Sequence, residues 1–412
     1  MKRIRNCSEH WLAHSKENKA GFTWYFPTAE IQAPIEAVNN MYLQCRMSVL
    51  SNKKAIAWKE LSAVFKLQPT SRHWSIPVLA ALCVGIPLLI GYYFNQFASA
   101  LTASLAGLVI LYMPIHSNLV GTLAKLLICS FGFLVSYGVG ITFSFNPIIS
   151  CIVFGIYSAL IHWSVLVSRM KPPGNFFFIL LAAMASGIPF RPETIPERIG
   201  LLTIGSILTC FLAITFSLFI QKPDIIKETR SILNQVHFRK DADYLESFIV
   251  GFFMFSALLT GYLSGMDKPY WIPISCLAVM QGSSTLHIWR RGFYRIIGTV
   301  LGMGLCWIIL SLFKNQLEIC ITIIVLQFII EAIITRNYTI AVIFITPMTI
   351  LLSEAASPIA QNPTTLITSR LIDVLIGSML GALGGWMLYH EQLRFRVVKR
   401  IRVTRLAIKK RS

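Results

Sequence analysis

The stretch YWIPISCLAVMQGSSTLHIWRRGFYRIIGTVLGMGLCWII, residues 270–309, holds two apolar runs joined by a short loop that carries Arg290 and Arg291. At a rise of about 1.5 Å per residue, each run is roughly long enough to cross a bilayer as a helix. The second run opens with Arg295, and an arginine in an apolar segment marks either an ion path or a structural anchor. Glycines at helical spacing follow it: Gly298, Gly302 and Gly304. Because such glycines let a neighbouring helix approach closely, the stretch predicts a packed membrane hairpin.

Composition extends this prediction to the whole chain. Of its 412 residues, 55% are hydrophobic and only 13% are charged, which is about half the charged share of a soluble domain. The formal charge of +19 does not indicate nucleic-acid binding, because the basic residues gather at the start, middle and end of the chain, beside apolar runs. The nine cysteines show no CxxC or Cys/His spacing, so we expect no metal site, no disulfide framework and no cofactor.

Twelve apolar runs predict an all-α membrane protein with about twelve transmembrane helices. Their approximate bounds are 75–94, 98–114, 119–141, 147–168, 175–189, 198–220, 247–263, 269–283, 293–313, 317–335, 338–352 and 369–389. Five segments follow: a cytoplasmic N-terminal segment with a possible interfacial helix (1–74), a six-helix unit (75–220), a cytoplasmic linker (221–246), a second six-helix unit (247–389) and a basic cytoplasmic tail (390–412). This topology leaves most Lys and Arg on one side, so the positive-inside rule predicts that both termini are cytoplasmic.

Three pairs of segments indicate an internal repeat. KLLICSFG (125–132) matches RIIGTVLG (295–302), NFFFILLAAMASG (175–187) matches NYTIAVIFITPMT (337–349), and RIGLLTIGSIL (198–208) matches RLIDVLIGSML (370–380). The matches occur in the same order in each unit. Because each unit has six predicted spans, the two units share one orientation and form a parallel repeat.

Ionisable residues inside the apolar runs are the candidates for a substrate path. An anion path predicts roles for the basic residues, and the acids and the histidine are candidate proton carriers; together they are Lys125, Arg295, Arg198, Arg370, Glu331, Asp373 and His162. The alternative interpretation has buried anchors, with Arg295 paired to Glu331 and either Arg198 or Arg370 paired to Asp373. Residues near the ends of spans can also extend their charged groups to the interface.

Other residues are candidates for helix packing and helix breaks. The packing set is Gly298, Thr299, Gly302 and Gly132. Pro273 and Pro347 are predicted to interrupt helices, either to shape a cavity or as plain kinks. No HExxH, GxSxG, paired-carboxylate or Walker A motif is evident, so the sequence does not predict an enzyme or an ATP-driven pump.

The Tyr-Trp-x-Pro entry at Tyr270, the Gln-Gly end of that run and the Arg-x-x-Gly-Thr-x-x-Gly motif beginning at Arg295 resemble the fusaric acid resistance (FUSC) family of aromatic acid exporters. YTIAVIFITPMTILLSE (338–354) and RLIDVLIGSMLG (370–381) resemble the later spans of that family. The resemblance covers roughly residues 75–389 and is strongest after Phe248. The short linker departs from the larger members, which carry a sizeable cytoplasmic region there.

The resemblance implies a bacterial inner-membrane transporter that exports small organic anions, with aromatic acids as the expected class. It also implies a periplasmic adaptor for some relatives, and a homo-oligomer is a further possible partner arrangement beside the lipid bilayer. Two alternatives remain open at this point: an anion channel or uniporter on the same scaffold, and a non-transporting membrane scaffold protein.

Overall fold

A computed structural model describes residues 67, 69–70, 73–114, 119–220, 240–282, 284–354 and 363–390. The chain divides into two parts, Met1–Ala63 and Val64–Ser412, and all the described residues belong to the second part. The predicted interfacial helix, most of the predicted linker and the basic tail lie outside the described residues.

Every regular element in the described ranges is helical. The first six α-helices are α1 (Ser75–Tyr93), α2 (Phe97–Leu105), α3 (Leu119–Thr142), α4 (Pro147–Val167), α5 (Phe176–Ser186) and α6 (Ile195–Ile220). The next six are α7 (Lys240–Leu263), α8 (Trp271–Met280), α9 (Thr285–Leu312), α10 (Gln316–Ile333), α11 (Tyr338–Glu354) and α12 (Pro363–Tyr389). Short 3-10 helices extend α2 over Ala106–Tyr112 and precede α6 at Pro192–Thr194.

Eight helices in these ranges are long and apolar enough to cross a membrane: α1, α3, α4, α6, α7, α9, α10 and α12. The other four are apolar but shorter, and they are α2 with its 3-10 extension, α5, α8 and α11. The structure therefore supports eight spans by length and composition, and the predicted number of twelve crossings is not confirmed.

The hairpin predicted at residues 270–309 differs from the prediction in two respects. Helix α8 has only 10 residues, and at 1.5 Å per residue it is about 15 Å long, half the thickness of a hydrocarbon core. Arg290 and Arg291 do not lie in a loop, because α9 begins at Thr285, where the Ser284 side chain accepts a hydrogen bond from the backbone N–H of His287. A polar N-terminal cap thus starts the helix well before its apolar run.

The start of α7 and the position of Pro273 also differ from the prediction. Helix α7 begins at Lys240, inside the predicted linker, because its first two turns are polar and give no apolar signal. Pro273 is the third residue of α8 and so lies in its first turn, where a proline interrupts no helical hydrogen bond. The predicted interior break at Pro273 is wrong, whereas Pro347 does lie inside α11.

Six of the helix pairs in contact are α4 with α7, α1 with α10, α3 with α5, α9 with α11, α2 with α6, and α8 with α12. Glycines allow the closest approaches. Gly155 of α4 and Gly251 of α7 face each other, and an added methyl group at Gly251 would stand 2.6 Å from the carbonyl oxygen of Gly155. Since small residues at helix contacts let backbones approach, these glycines fix the α4–α7 pair.

Candidate functional site

The short helix α8 lies at the centre of the candidate site. All ten of its residues are buried, and it packs against α7, α9 and α12. Three arginines reach it or its C-terminal end from the neighbouring helices: Arg291 and Arg295 on α9 and Arg370 on α12. Their contacts fall at successive positions along α8, so we call these residues the arginine column.

Arg295 contacts the middle of α8. Its Nη2 donates a hydrogen bond to the Ser275 hydroxyl oxygen at 3.3 Å. No carboxylate lies within 4 Å of Arg295 in the part of the chain that the structure describes, so the predicted pair with Glu331 is not formed. Arg295 lies about three turns after the start of α9, and not within the first turn as its apolar run had indicated.

Arg291 lies one turn before Arg295 on the same face of α9, because residues four apart on a helix are neighbours. Its Nη1 points to the carbonyl oxygen of Gln281 at 3.5 Å, and its guanidinium carbon lies 4.2 Å from the centre of the Tyr338 ring. Tyr338 begins α11 and interacts electrostatically with both Arg291 and Arg295. The two guanidiniums therefore converge on one tyrosine.

This group of three side chains has buried donors that are not satisfied. The Nε atoms of Arg291 and Arg295 and the hydroxyl oxygen of Tyr338 are buried and have no hydrogen-bond partner. Each of these atoms carries a hydrogen that it can donate. An unmade hydrogen bond at a buried group costs about 1–3 kcal/mol, so the arrangement is suited to accept an anionic oxygen.

Arg370 contacts the first residue of α8. Its guanidinium carbon stacks over the Trp271 ring, 2.9 Å from the centroid, in a cation–π contact. Asp373 lies one turn further along α12; it is 2% exposed, and its Oδ1 has no hydrogen-bond partner. The two charges interact, and Asp267 in the α7–α8 loop adds a like charge to Asp373. Arg370 and Asp373 thus lie at the opposite end of α8 from Arg291.

Three other predicted path residues lie elsewhere. Lys125 is half-buried on α3 near Cys129, and Arg198 on α6 interacts with the buried Tyr137 of α3. Glu331 is 5% exposed on α10, one turn after the buried Gln327, whose Nε2 has no hydrogen-bond partner. These residues are on helices other than those that form the arginine column.

His162 connects three elements at one end of the bundle. Its Nδ1 lies 2.9 Å from the side-chain nitrogen of Asn175, which precedes α5, and its Nε2 lies 3.4 Å from Oε1 of Glu246 on α7. The amide N–H of Asn175 can donate to the unprotonated Nδ1, which places the hydrogen on Nε2; that atom is near the carboxylate but makes no hydrogen bond. His162 is thus a link between α4, α5 and α7.

The predicted packing glycines occupy helix contacts. Added methyl groups at Gly298 and Gly302 would stand within 3 Å of α11, and one at Gly132 would collide with Phe178 of α5. Thr299 is buried on α9 between the two glycines. All four residues of the packing set therefore lie buried or at close helix contacts.

The sequence reasoning missed Arg291 and Tyr338 as site residues. For Arg291 a signal was present, because it stands four residues before Arg295 and shares a helix face with it once α9 begins at Thr285. For Tyr338 there was no such signal, since its contact with α9 depends on how α11 packs. Among the described residues, no group of three or more His, Cys, Asp or Glu side chains could hold a metal ion.

A comparison with known protein families gives a match in this region. The profile of the family described as "Fusaric acid resistance protein-like" matches residues 255–384, which include α8 to α11 and most of α12. The "Uncharacterized membrane protein YvaC" of Bacillus subtilis (strain 168) is 34% identical over 141 residues. That alignment covers 34% of this chain and 22% of YvaC, so the chain spans about a fifth of the length of this relative. No solved structure is significantly similar to the chain.

The matched region contains the whole arginine column with Tyr338, Asp373 and the short helix α8. Together with eight helices of spanning length, the match shows a multi-pass membrane protein. Residues 255–384 are similar to the fusaric acid resistance protein-like family, and the resemblance predicted from the sequence is confirmed over that region.

Proposed function

We propose that this chain is a transporter that exports small organic anions, with aromatic carboxylates as the first class to test. The observation that carries the proposal is Arg295, a permanent cation inside an apolar helix whose hydrogen-bond partner is the neutral Ser275 hydroxyl. A charge in a membrane interior is retained at a cost when it serves a function. The description of the matched family, resistance to fusaric acid, agrees with export of an aromatic acid.

The arginine column supplies a route for such a substrate. Contacts of Arg291 with Gln281, Arg295 with Ser275 and Arg370 with Trp271 span the length of α8. With a core about 30 Å thick, a short central helix leaves part of the crossing to side chains and water. We propose that the anion moves from one guanidinium to the next along α8.

A parallel duplication of two six-helix units is part of this proposal. The second and fifth helices of each unit are the short ones, so both units read long, short, long, long, short, long. The contacts correspond as well: the third helix packs on the fifth and the second on the sixth within each unit, and the fourth of each unit packs on the first of the other. This reciprocal packing of the fourth helix of each unit on the first helix of the other is expected for two copies related by an axis along the membrane normal.

Two matched glycines also support the duplication. Gly205 of α6 lies against the carbonyl of Ala103 in α2, and Gly377 of α12 lies against the carbonyl of Ile272 in α8. Both glycines precede a serine at the same offset from an arginine, Arg198 in one unit and Arg370 in the other. In both units, therefore, a glycine of the sixth helix packs against a backbone carbonyl of the second helix.

The proposal is tested by the retention of radiolabelled aromatic acids in cells that express the chain. We expect faster loss of at least one acid from these cells, and the loss returns to background with Arg295→Gln. The matched control is Arg336→Gln, which removes the same charge from an exposed position between α10 and α11. The export proposal is rejected if the protein is present in the membrane and no acid leaves faster than from cells without it.

The kinetics of the same cells distinguish a carrier from a channel. A carrier gives a rate that saturates with internal substrate, whereas a channel gives a current that follows the gradient of the anion. Arg295→Lys provides a further comparison, because lysine keeps the charge but lacks the planar fork that binds a carboxylate through two hydrogen bonds. We expect it to retain a small part of the export rate.

A further inference from the structure

We propose that Arg291, Arg295 and Tyr338 form a binding subsite for a small organic dianion, such as a dicarboxylate. This inference rests on the proposed function, because it names the substrate class of one part of the same path. The subsite lies between the C-terminal end of α8 and the first turn of α11, and it includes the carbonyl of Gln281 and the hydroxyl of Ser275 at its edges.

The charge of the subsite indicates the charge of its ligand. Both guanidiniums stay protonated in proteins, so the subsite carries two positive charges at any physiological pH. The described part of the chain places no carboxylate within 4 Å of either one. Two half-buried cations one helical turn apart repel each other, and a single negative charge neutralises only one of them. A dianion neutralises both.

The unsatisfied groups of the subsite are all donors. Nε–H of Arg291, Nε–H of Arg295 and O–H of Tyr338 are buried without acceptors. A ligand that satisfies them must offer several acceptor oxygens and no competing donors, and ionised carboxylates are acceptor-only groups. Charge-assisted hydrogen bonds of this kind are about twice as strong as neutral ones.

The neighbouring contacts leave the guanidiniums available. The hydrogen bonds of Arg291 to Gln281 and of Arg295 to Ser275 are long, at 3.5 and 3.3 Å, and their acceptors are neutral. An anion competes well for donors that are held only by weak neutral partners. Gln281 is itself positioned by a contact of its Nε2 with the carbonyl of Pro173 in the α4–α5 loop, at 3.5 Å.

The test compares two ligands that differ by one carboxylate. The full-length protein is purified in detergent at physiological salt, and the binding of isophthalate, with two carboxylates, and of benzoate, with one, is measured by calorimetry. We expect one isophthalate per chain and an affinity at least about tenfold above that for benzoate. Arg291→Gln should lower the affinity for isophthalate at least about tenfold but the affinity for benzoate by less than about threefold. The two affinities then become similar.

Further variants separate the subsite from general attraction to a basic protein. Tyr338→Phe, which removes only the hydroxyl, should weaken isophthalate less than Arg291→Gln does. Arg336→Gln should leave the ratio of the two affinities unchanged, because its charge lies outside the subsite. Circular dichroism and the elution volume of each variant show whether it is folded.

Each outcome of the binding experiment decides the inference. Equal affinities for the two ligands, two benzoates bound per chain, an unchanged ratio in Arg291→Gln or no binding of either ligand would overturn it. Transport in proteoliposomes is measured separately with the same ligands. Selective binding of isophthalate without transport of any acid would support the subsite and reject the proposed function. Transport of both acids, together with equal binding affinities for the two, would support the proposed function and reject the subsite.

Discussion

Gly302 of α9 lies against the carbonyl oxygen of Ile343 in α11, and a methyl group added at the glycine would stand 2.6 Å from that oxygen. Ile343 is the residue whose helical acceptor bond is lost to a proline, because Pro347 stands four residues later and has no N–H. The carbonyl oxygen of Ile343, which lacks its helical hydrogen bond, therefore faces a glycine. A glycine has no side chain, so α9 can approach this closely. The packing glycine and the proline, predicted separately from the sequence, act at the same helix contact.

This contact predicts a difference between two glycines of the same helix. Gly302→Ala should lower the free energy of unfolding by about 1–3 kcal/mol, because the added methyl group overlaps Ile343 and Thr346. Gly304→Ala is the matched control: nothing lies within 4 Å of its added methyl group, and alanine favours a helix over glycine by up to about 1 kcal/mol. Thermal unfolding in detergent measures both. Equal melting temperatures for the two variants would contradict the contact.

The two proposed repeats predict equal effects at Gly205 and Gly377. An alanine at either position collides with a backbone carbonyl, of Ala103 and Ile272 respectively, and a backbone atom cannot rotate away as a side chain can. Both variants should lose about 1–3 kcal/mol of stability. Gly200→Ala, on the same helix as Gly205 but without atoms within 4 Å, should lose none. A large loss at one position and none at the other would argue against matched packing in the two units.

The link through His162 predicts a measurable coupling between α4 and α7. The His162 Nε2 and Glu246 Oε1 atoms are 3.4 Å apart, and the side chains are 15% and 24% exposed, so solvent weakens the pair. A double-mutant cycle with His162→Gln and Glu246→Gln should give a coupling free energy of about 0.5–1 kcal/mol. The control cycle replaces His162→Gln with Ser164→Ala, whose hydroxyl bonds to Leu160 of its own helix, and should give none. Additive effects in the first cycle, that is, a coupling free energy of zero, would contradict the link between α4 and α7.

The crossing of the short helix α8 is tested by labelling from the two sides of the membrane. Exposed residues flank it, Ser264 before α8 and His287 at the start of α9. With Cys7 and Cys45 replaced by Ser, the seven cysteines that remain are all buried. If α8 crosses with the orientation predicted from the sequence, Ser264→Cys reacts with an impermeant maleimide in intact cells, and His287→Cys reacts only after the membrane is opened. Reaction of both cysteines from one side would show that α8 enters and leaves on the same side.

The apolar pattern of the sequence was sufficient to predict the class of the protein and most of its helices. Long apolar runs leave few alternatives to a helix in a membrane, because the bilayer offers no partners for free backbone groups. The same logic singled out Arg295, since an arginine in an apolar run is rare and costly wherever its helix packs. The family resemblance rested on local motifs and was confirmed over residues 255–384.

Which charged residues contact one another depends on how the helices pack. Helix starts at polar residues, as at Thr285 and Lys240, leave no apolar signal, and the start at Thr285 is set by the Ser284 cap. The length of α8 and the convergence of Arg291, Arg295 and Tyr338 depend on contacts between helices far apart in the chain. An apolar pattern reports that a helix is buried but not against which partner, and the partner determines what an arginine can bind.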